Sequence, residues 1–249
     1  MKSLATLAIA VFMTAFSAQA ITVDEILNNY FENTGGLALW EKMETMKMTG
    51  SVPSPQGDFP FVVFSKSPNK MKVEVDIQGM QMIPQCYDGE VAWSINPFGG
   101  AGKAATKMAN EDAKETAEQA IFEPEYFNYA KKGHAITLEG EEVIDGVDCY
   151  KLKVHKYTED PEKESVEYHF FDKENFVPIM TRSTIKTGEM KGTVTEDYYS
   201  DYQETEYGVI MPYYLETKME GQVMNKIVVE QIEINITIED EVFEMPASE

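Results

Sequence analysis

The chain has 249 residues, 43 of them acidic and 21 basic, and carries a net charge of −22 at neutral pH. Such an excess of carboxylates, with Arg182 the only arginine, excludes electrostatic binding of nucleic acid. It also sets the protein against anionic lipid surfaces, and solubility is the ordinary use of that charge.

In chain order, Lys2, the apolar run Leu4 to Phe16 and the small-x-small site Ala18-Gln19-Ala20 have the form of a secretory signal peptide. The expectation is export to the periplasm with cleavage after Ala20: residues 1–20 as signal and 21–249 as one β-rich domain. The apolar run is too short to cross a bilayer core of roughly 30 Å. No later segment approaches a span, so stable membrane insertion is not expected.

Thr22-Val23-Asp24-Glu25 reads as a capping box, and Val23, Ile26, Leu27, Tyr30 and Phe31 recur at helical spacing until Asn33-Thr34-Gly35-Gly36. From about Thr45 the period becomes two. In Lys70 to Ile77, Met71, Val73, Val75 and Ile77 alternate with Lys70, Lys72, Glu74 and Asp76, which predicts one buried and one wet face. Turn signals such as Gln78-Gly79, Asp145-Gly146 and Glu220-Gly221 divide the rest into about eleven or twelve strands. One stretch differs. Lys103 to Lys132 follows a Gly-rich hinge and puts Ala109, Ala113, Ala117, Ala120 and Ile121 on one helical stripe, with an aromatic cluster at Tyr126, Phe127 and Tyr129. It is expected to be a helical lid that buries little apolar area.

Two cysteines in an exported chain invite a disulfide. Cys149 is out of phase with Tyr150, Leu152 and Val154. Cys86 is in phase with Met80 and Met82 unless a bulge at Pro84 reverses it. The pairing stays open.

Signs of catalysis and of cofactor binding are missing. His134, His155 and His169 have no metal-ligand spacing, no G-x-S-x-G elbow occurs, and the loop at Gly99 departs from the P-loop at Pro97 and Ala104. Neither a metal, a cofactor nor an enzymatic activity is expected. Thirteen methionines follow Ala20, several on inward strand phases, and as a set they fit a pliable apolar cavity. Strand phase places Met71, Val73, Val75, Trp93, Ile95, Leu152 and Val154 toward that cavity. Met46, Met48, Met80 and Met82 join them, with Ile121 and Phe127 from the lid.

The segments YFENTGGLALWEKMETMKMTG (Tyr30–Gly50), YDGEVAWSINPFGG (Tyr87–Gly100), KKGHAITLEGEEVIDGVDCYKLKV (Lys131–Val154), FFDKENFVPI (Phe170–Ile179), YGVIMPYYLE (Tyr207–Glu216) and IEDEVFEMP (Ile238–Pro246) follow one another in an order and spacing that resembles the LolA/LolB-like superfamily of periplasmic lipoprotein carriers, in its Bacteroidetes lipoprotein-sorting form. The resemblance implies an incomplete antiparallel β-barrel of about eleven strands, closed by helices around a cavity for lipid or lipoprotein acyl chains. It also implies an inner-membrane transporter and an outer-membrane receptor as partners. One departure is visible: the family's lid-holding arginine lies in an early strand, and here no arginine precedes Arg182. The competing expectation is an envelope protein whose half-barrel is filled by its own side chains and which binds another protein.

Overall fold

The computed structural model describes residues 21–100, 102–123, 125–157, 164–186 and 190–247, so the signal sequence and its cleavage site lie outside the described residues. The mature N-terminus forms α1 (Val23–Asn33). Thr22 Oγ1 accepts from Glu25 N–H while the Glu25 carboxylate accepts from Thr22 N–H, so two otherwise orphaned donors are satisfied reciprocally. Its buried stripe is Ile26, Leu27, Tyr30 and Phe31. A single turn, α2 (Leu37–Trp40), follows after Gly35 and Gly36, both at positive φ. A Cβ on Gly35 would come within 2.3 Å of Gly208 O, and Ile210 N–H donates to Thr34 O. Backbone contact of this closeness fixes the helical corner to the sheet.

The remainder is one antiparallel sheet. Its first half comprises β1 (Thr45–Val52), β2 (Phe59–Lys66), β3 (Lys70–Ile77), β4 (Met80–Tyr87), β5 (Ala92–Ile95) and the two-residue β6 (Thr106–Lys107). After α3 (Asn110–Gln119) come β7 (Ala135–Ile144), β8 (Val147–Lys156), β9 (Ser165–Asp172), β10 (Pro178–Thr184), β11 (Val194–Glu204), β12 (Ile210–Met219) and β13 (Gln222–Ile234). The spatial order is β6-β5-β4-β3-β2-β1-β13-β12-β11-β10-β9-β8-β7: two meanders joined where β13 pairs with β1. The edges β6 and β7 do not meet, which makes an open half-barrel of thirteen strands, one more than the upper expectation. The addition is the short β6, too brief for periodicity to reveal.

Register assigns the faces, because side chains alternate with period two. On the inner face, where α1 packs, Met46 lies opposite Ile234, Met48 opposite Ile232 and Val63, Val63 opposite Val73, and Leu152 opposite His169. On the outer face, the C-terminal segment covers β2, β4 and β5 by setting Ile238 and Phe243 against Ile83, Cys86, Trp93, Phe64 and Ile95. Trp93 Nε1 donates to Phe243 O at 2.9 Å. Register shifts on both sides of β4 turn Cys86 to pair with Lys72 and Trp93, so the bulge around Pro84 does reverse it. Cys149 is also on the outer phase, yet it is buried with Ile144, Phe170 and Met180. Both thiols are free, and the strands from β3 across to β9 separate them.

Candidate functional site

The inner face has two unlike halves. Over β7–β10, α1, Trp40 and the segment through Tyr126 and Phe127 lie directly on Ile136, Leu152, Val154 and Phe171. Leu152 and Val154 therefore face inward as expected but are sealed beneath the helix, with no surface left to line an open cavity. Over β1–β3, β12 and β13 every member of the apolar cluster comes from a strand. Phe61, Tyr213, Val229 and Ile232 are buried, and around them Met46, Met48, Val63, Val75, Leu215 and Ile227 are only half covered. Among the described residues, this apolar strip has no helical cover.

The expected cavity residues divide accordingly. Met46, Met48 and Val75 belong to the strip. Val73 continues it opposite Val63, and Met71 is buried at its end opposite Ser65. Met82 lies opposite Val75 and Met80 opposite Ile77 on the same phase, with Met80 exposed at the sheet's rim. Phe127 contacts Phe31 edge-on and belongs to the closed half. Trp93 and Ile95 do not face inward: the shift between Ile83 and Cys86 puts them on the outer face, where Trp93 is 1% exposed under Phe243. Ile121 follows the end of α3 and is 54% exposed, because the helix stops at Gln119 and its buried positions are Thr116 and then Ala120. Lys72 and Glu74, read as a wet face, are largely covered. They form an ion pair of 2.6 Å, and Lys72 lies 6.0 Å from the Trp93 ring.

Where the strip meets the closed half, Met211 and Ile234 touch both clusters. Beside Met211 is a cavity of about 150 Å³, walled by the rings of Tyr30, Trp40, Tyr126, Tyr199 and Tyr202 with His169, Thr181 and Glu125. Tyr126 stands edge-on to Tyr30 at 5.5 Å between ring centres, and Trp40 is tilted to Tyr30 at 6.0 Å. Behind these rings runs a polar chain. Tyr126 Oη is 2.7 Å from His169 Nδ1, and His169 Nε2 is 3.2 Å from Glu167 Oε2. Thr181 Oγ1 also lies 3.3 Å from Nδ1, and Nε2–H donates to the carboxylate. Lys156 Nζ lies 2.9 Å from Glu167 Oε1 and 2.5 Å from Glu125 Oε1. Burial opposes the charge on Glu167, but hydrogen bonds from His169 and Lys156 outweigh it and hold the carboxyl at about 2. Burial pushes the Tyr126 phenol well above its usual range, so it stays protonated.

Glu125, Glu167 and His169 offer ligand atoms within 4.8 Å of one another, a cluster that sequence spacing did not show. Lys156 already supplies the cation there. The phase of Glu167, His169 and Phe171 along β9 was readable. That Tyr126 would meet them was not, since 43 residues separate it from His169. A second recess, of about 440 Å³, lies among Lys70, Asp88, Glu90, Asp240 and Glu244 and has an almost wholly charged lining. Arg182 is on the outer face, pairing with Glu196 at 2.9 Å and Glu142 at 3.2 Å, and so takes no part in the inner site.

A solved structure of a LolA superfamily protein from Nitrosomonas europaea superposes with a TM-score of 0.57, covering 90% of this chain and 98% of that one. The fold is that of LolA. Sequence identity in this pair is 14%. A DUF1329 family protein from Desulfovibrio piger gives a TM-score of 0.59 at 12% identity, covering 90% and 98% of the two chains. A domain named for outer membrane lipoprotein sorting, from Vibrio parahaemolyticus, gives 0.56 at 11%, covering 88% and 94%. No family model and no curated protein matches the chain in sequence. The LolA-type half-barrel is thus shared through its backbone, while the strip and the aromatic cavity are described from this chain's own residues.

Proposed function

We propose that this protein is a non-catalytic carrier that holds a lipid, or the acyl chains of an acylated cargo, on the inner face of its half-barrel in the periplasm. The observation that carries the reading is the strip of Met46, Met48, Val63, Val75, Leu215 and Ile227, which no described helix covers. Apolar surface left open inside a fold is energetically costly until something covers it, and each buried CH₂ contributes about 0.8 kcal/mol. Methionines at two of these positions suit chains of varied shape. The lipoprotein-sorting name of one structural neighbour supports acylated cargo, and an inner-membrane transporter and an outer-membrane receptor are its natural partners.

The test is native mass spectrometry of protein taken from its own envelope, followed by titration of delipidated protein with a fluorescent fatty-acyl probe. Co-purified lipid and saturable, competable probe uptake are expected. Folded, delipidated protein that takes up no probe would overturn the reading. A second reading, a half-barrel filled by its own side chains that binds another protein, is favoured by the closed half, where Leu152, Phe171 and Val154 are already packed. It predicts no lipid in either measurement.

A further inference from the structure

The aromatic cavity beside Met211 has a hydrogen-bonding character that decides what it can hold. At about 150 Å³ it is smaller than the roughly 300–1,000 Å³ of sites that enclose whole small molecules, so it takes a single group. Its donors are mostly spent on the protein itself. Tyr126 Oη is hydrogen-bonded to His169 Nδ1 at 2.7 Å, Tyr202 Oη donates to Pro178 O at 2.5 Å and Tyr199 Oη to Thr181 Oγ1 at 3.5 Å. Trp40 Nε1–H is divided between Thr34 O and Thr34 Oγ1. Of the ring residues, only the Tyr30 hydroxyl has no hydrogen bond to a described residue. What remains for a guest is electron-rich: phenol lone pairs, the faces of rings set at steep angles to one another, and the Glu125 carboxylate.

The charges agree. Lys156 lies between Glu125 and Glu167, and His169 is hydrogen-bonded to Tyr126 through one nitrogen and donates to Glu167 from the other. Among the described residues, the cavity's lining holds the Glu125 carboxylate and neither lysine nor arginine. A carboxylate or phosphate would meet acceptors and the Glu125 carboxylate. A cation would meet ring quadrupoles and a counter-charge. We infer that the cavity binds an organic ammonium group, primary or quaternary, carried by a free amine or by the polar end of a lipid. The second source rests on the carrier reading, since Met211 joins the cavity to the apolar strip and would let the chain lie along it.

The test is calorimetric titration of the full mature protein with four probes: choline, its neutral carbon isostere 3,3-dimethyl-1-butanol, dodecyltrimethylammonium below its micelle concentration, and dodecanol. Choline is expected to bind at least tenfold tighter than the isostere, a difference that Glu125→Gln reduces. Tyr202→Leu, which removes a wall, should weaken it by about tenfold, equal to about 1.4 kcal/mol. Equal binding of choline and its isostere, or no binding of either, overturns the inference. Dodecyltrimethylammonium tighter than both choline and dodecanol assigns the group to a lipid, whereas choline equal to dodecyltrimethylammonium assigns it to a free amine. Because the isostere comparison uses unmutated protein, it stands even if a variant fails to fold. Dodecanol uptake without any ammonium preference would leave the carrier reading intact and remove this one. An ammonium preference without chain uptake would do the reverse.

Discussion

Gly50 shows how closely a single residue is fitted to the strip. It lies directly opposite Phe61, whose ring crosses the space where a side chain would be, and a Cβ there would come within 2.1 Å of Val228 O and 2.9 Å of the ring. Glycine in a strand interior is normally unfavourable, so its presence is explained by this approach of backbone and ring. Gly50→Ala should cost about 1–3 kcal/mol through displacement of β13 or of Phe61, read as a lower melting temperature. A second residue, Glu167, ties stability to pH. Its folded pKa of about 2 lies below the usual carboxylate value, so its contribution is complete above about pH 4.5 and is lost as pH falls toward 2. Glu167→Gln should therefore lower stability at pH 7 while flattening its fall between pH 4.5 and 2, as measured by denaturant titration at each pH. An unchanged acid limb would mean that the His169 and Lys156 hydrogen bonds do not hold this carboxylate.

At the scale of elements, the two coverings of the inner face differ in strength. α1 begins with a complete capping box and buries two aromatic and two aliphatic side chains. α3 has Ala109 as its N-cap, which makes no side-chain bond to the helix, and its one buried residue is Thr116. Ala113 and Ala117 are half covered, and the helix contacts only the neighbouring β4 and β5 among the elements it most closely approaches. An element with so little buried apolar area opens at low cost. Hydrogen exchange should thus be faster over 110–119 than in β8 or β9, and it should slow when an acyl ligand occupies the strip. Equal and strong protection of α3 in free and loaded protein would make it an ordinary surface helix and remove it as a lid. The limits of this helix also show where sequence periodicity falls short. The alanine stripe marked a helix correctly, but small residues carry too weak a pattern to fix its end, and Ile121 was taken into a stripe that stops before it.

For the whole molecule, the open antiparallel sheet and its N-terminal helix were legible because alternation and capping are local signals. Which face a strand presents across a bulge is not local. The alternation in β3 placed Met71, Val73 and Val75 correctly, whereas one register shift in β4 was enough to carry Trp93 and Ile95 to the opposite surface. The aromatic cavity was equally hidden, since it is assembled from α1, α2, the segment after α3 and four strands. The same two faces give a prediction that separates folding from binding. Val73→Asp places a carboxylate on the apolar strip opposite Val63, where desolvation without a partner costs about 1–3 kcal/mol. Lys72→Asp acts on the outer face, but it is not innocuous. It replaces the Lys72–Glu74 ion pair by two adjacent carboxylates and removes the ammonium above Trp93. Both variants should melt at lower temperature than the parent, so melting alone does not distinguish the faces. Acyl-probe affinity per folded molecule does. It should fall severalfold in Val73→Asp and stay near the parent value in Lys72→Asp, because only the first change touches the surface on which the chain lies. Equal loss of affinity in the two variants would place the ligand somewhere other than the strip.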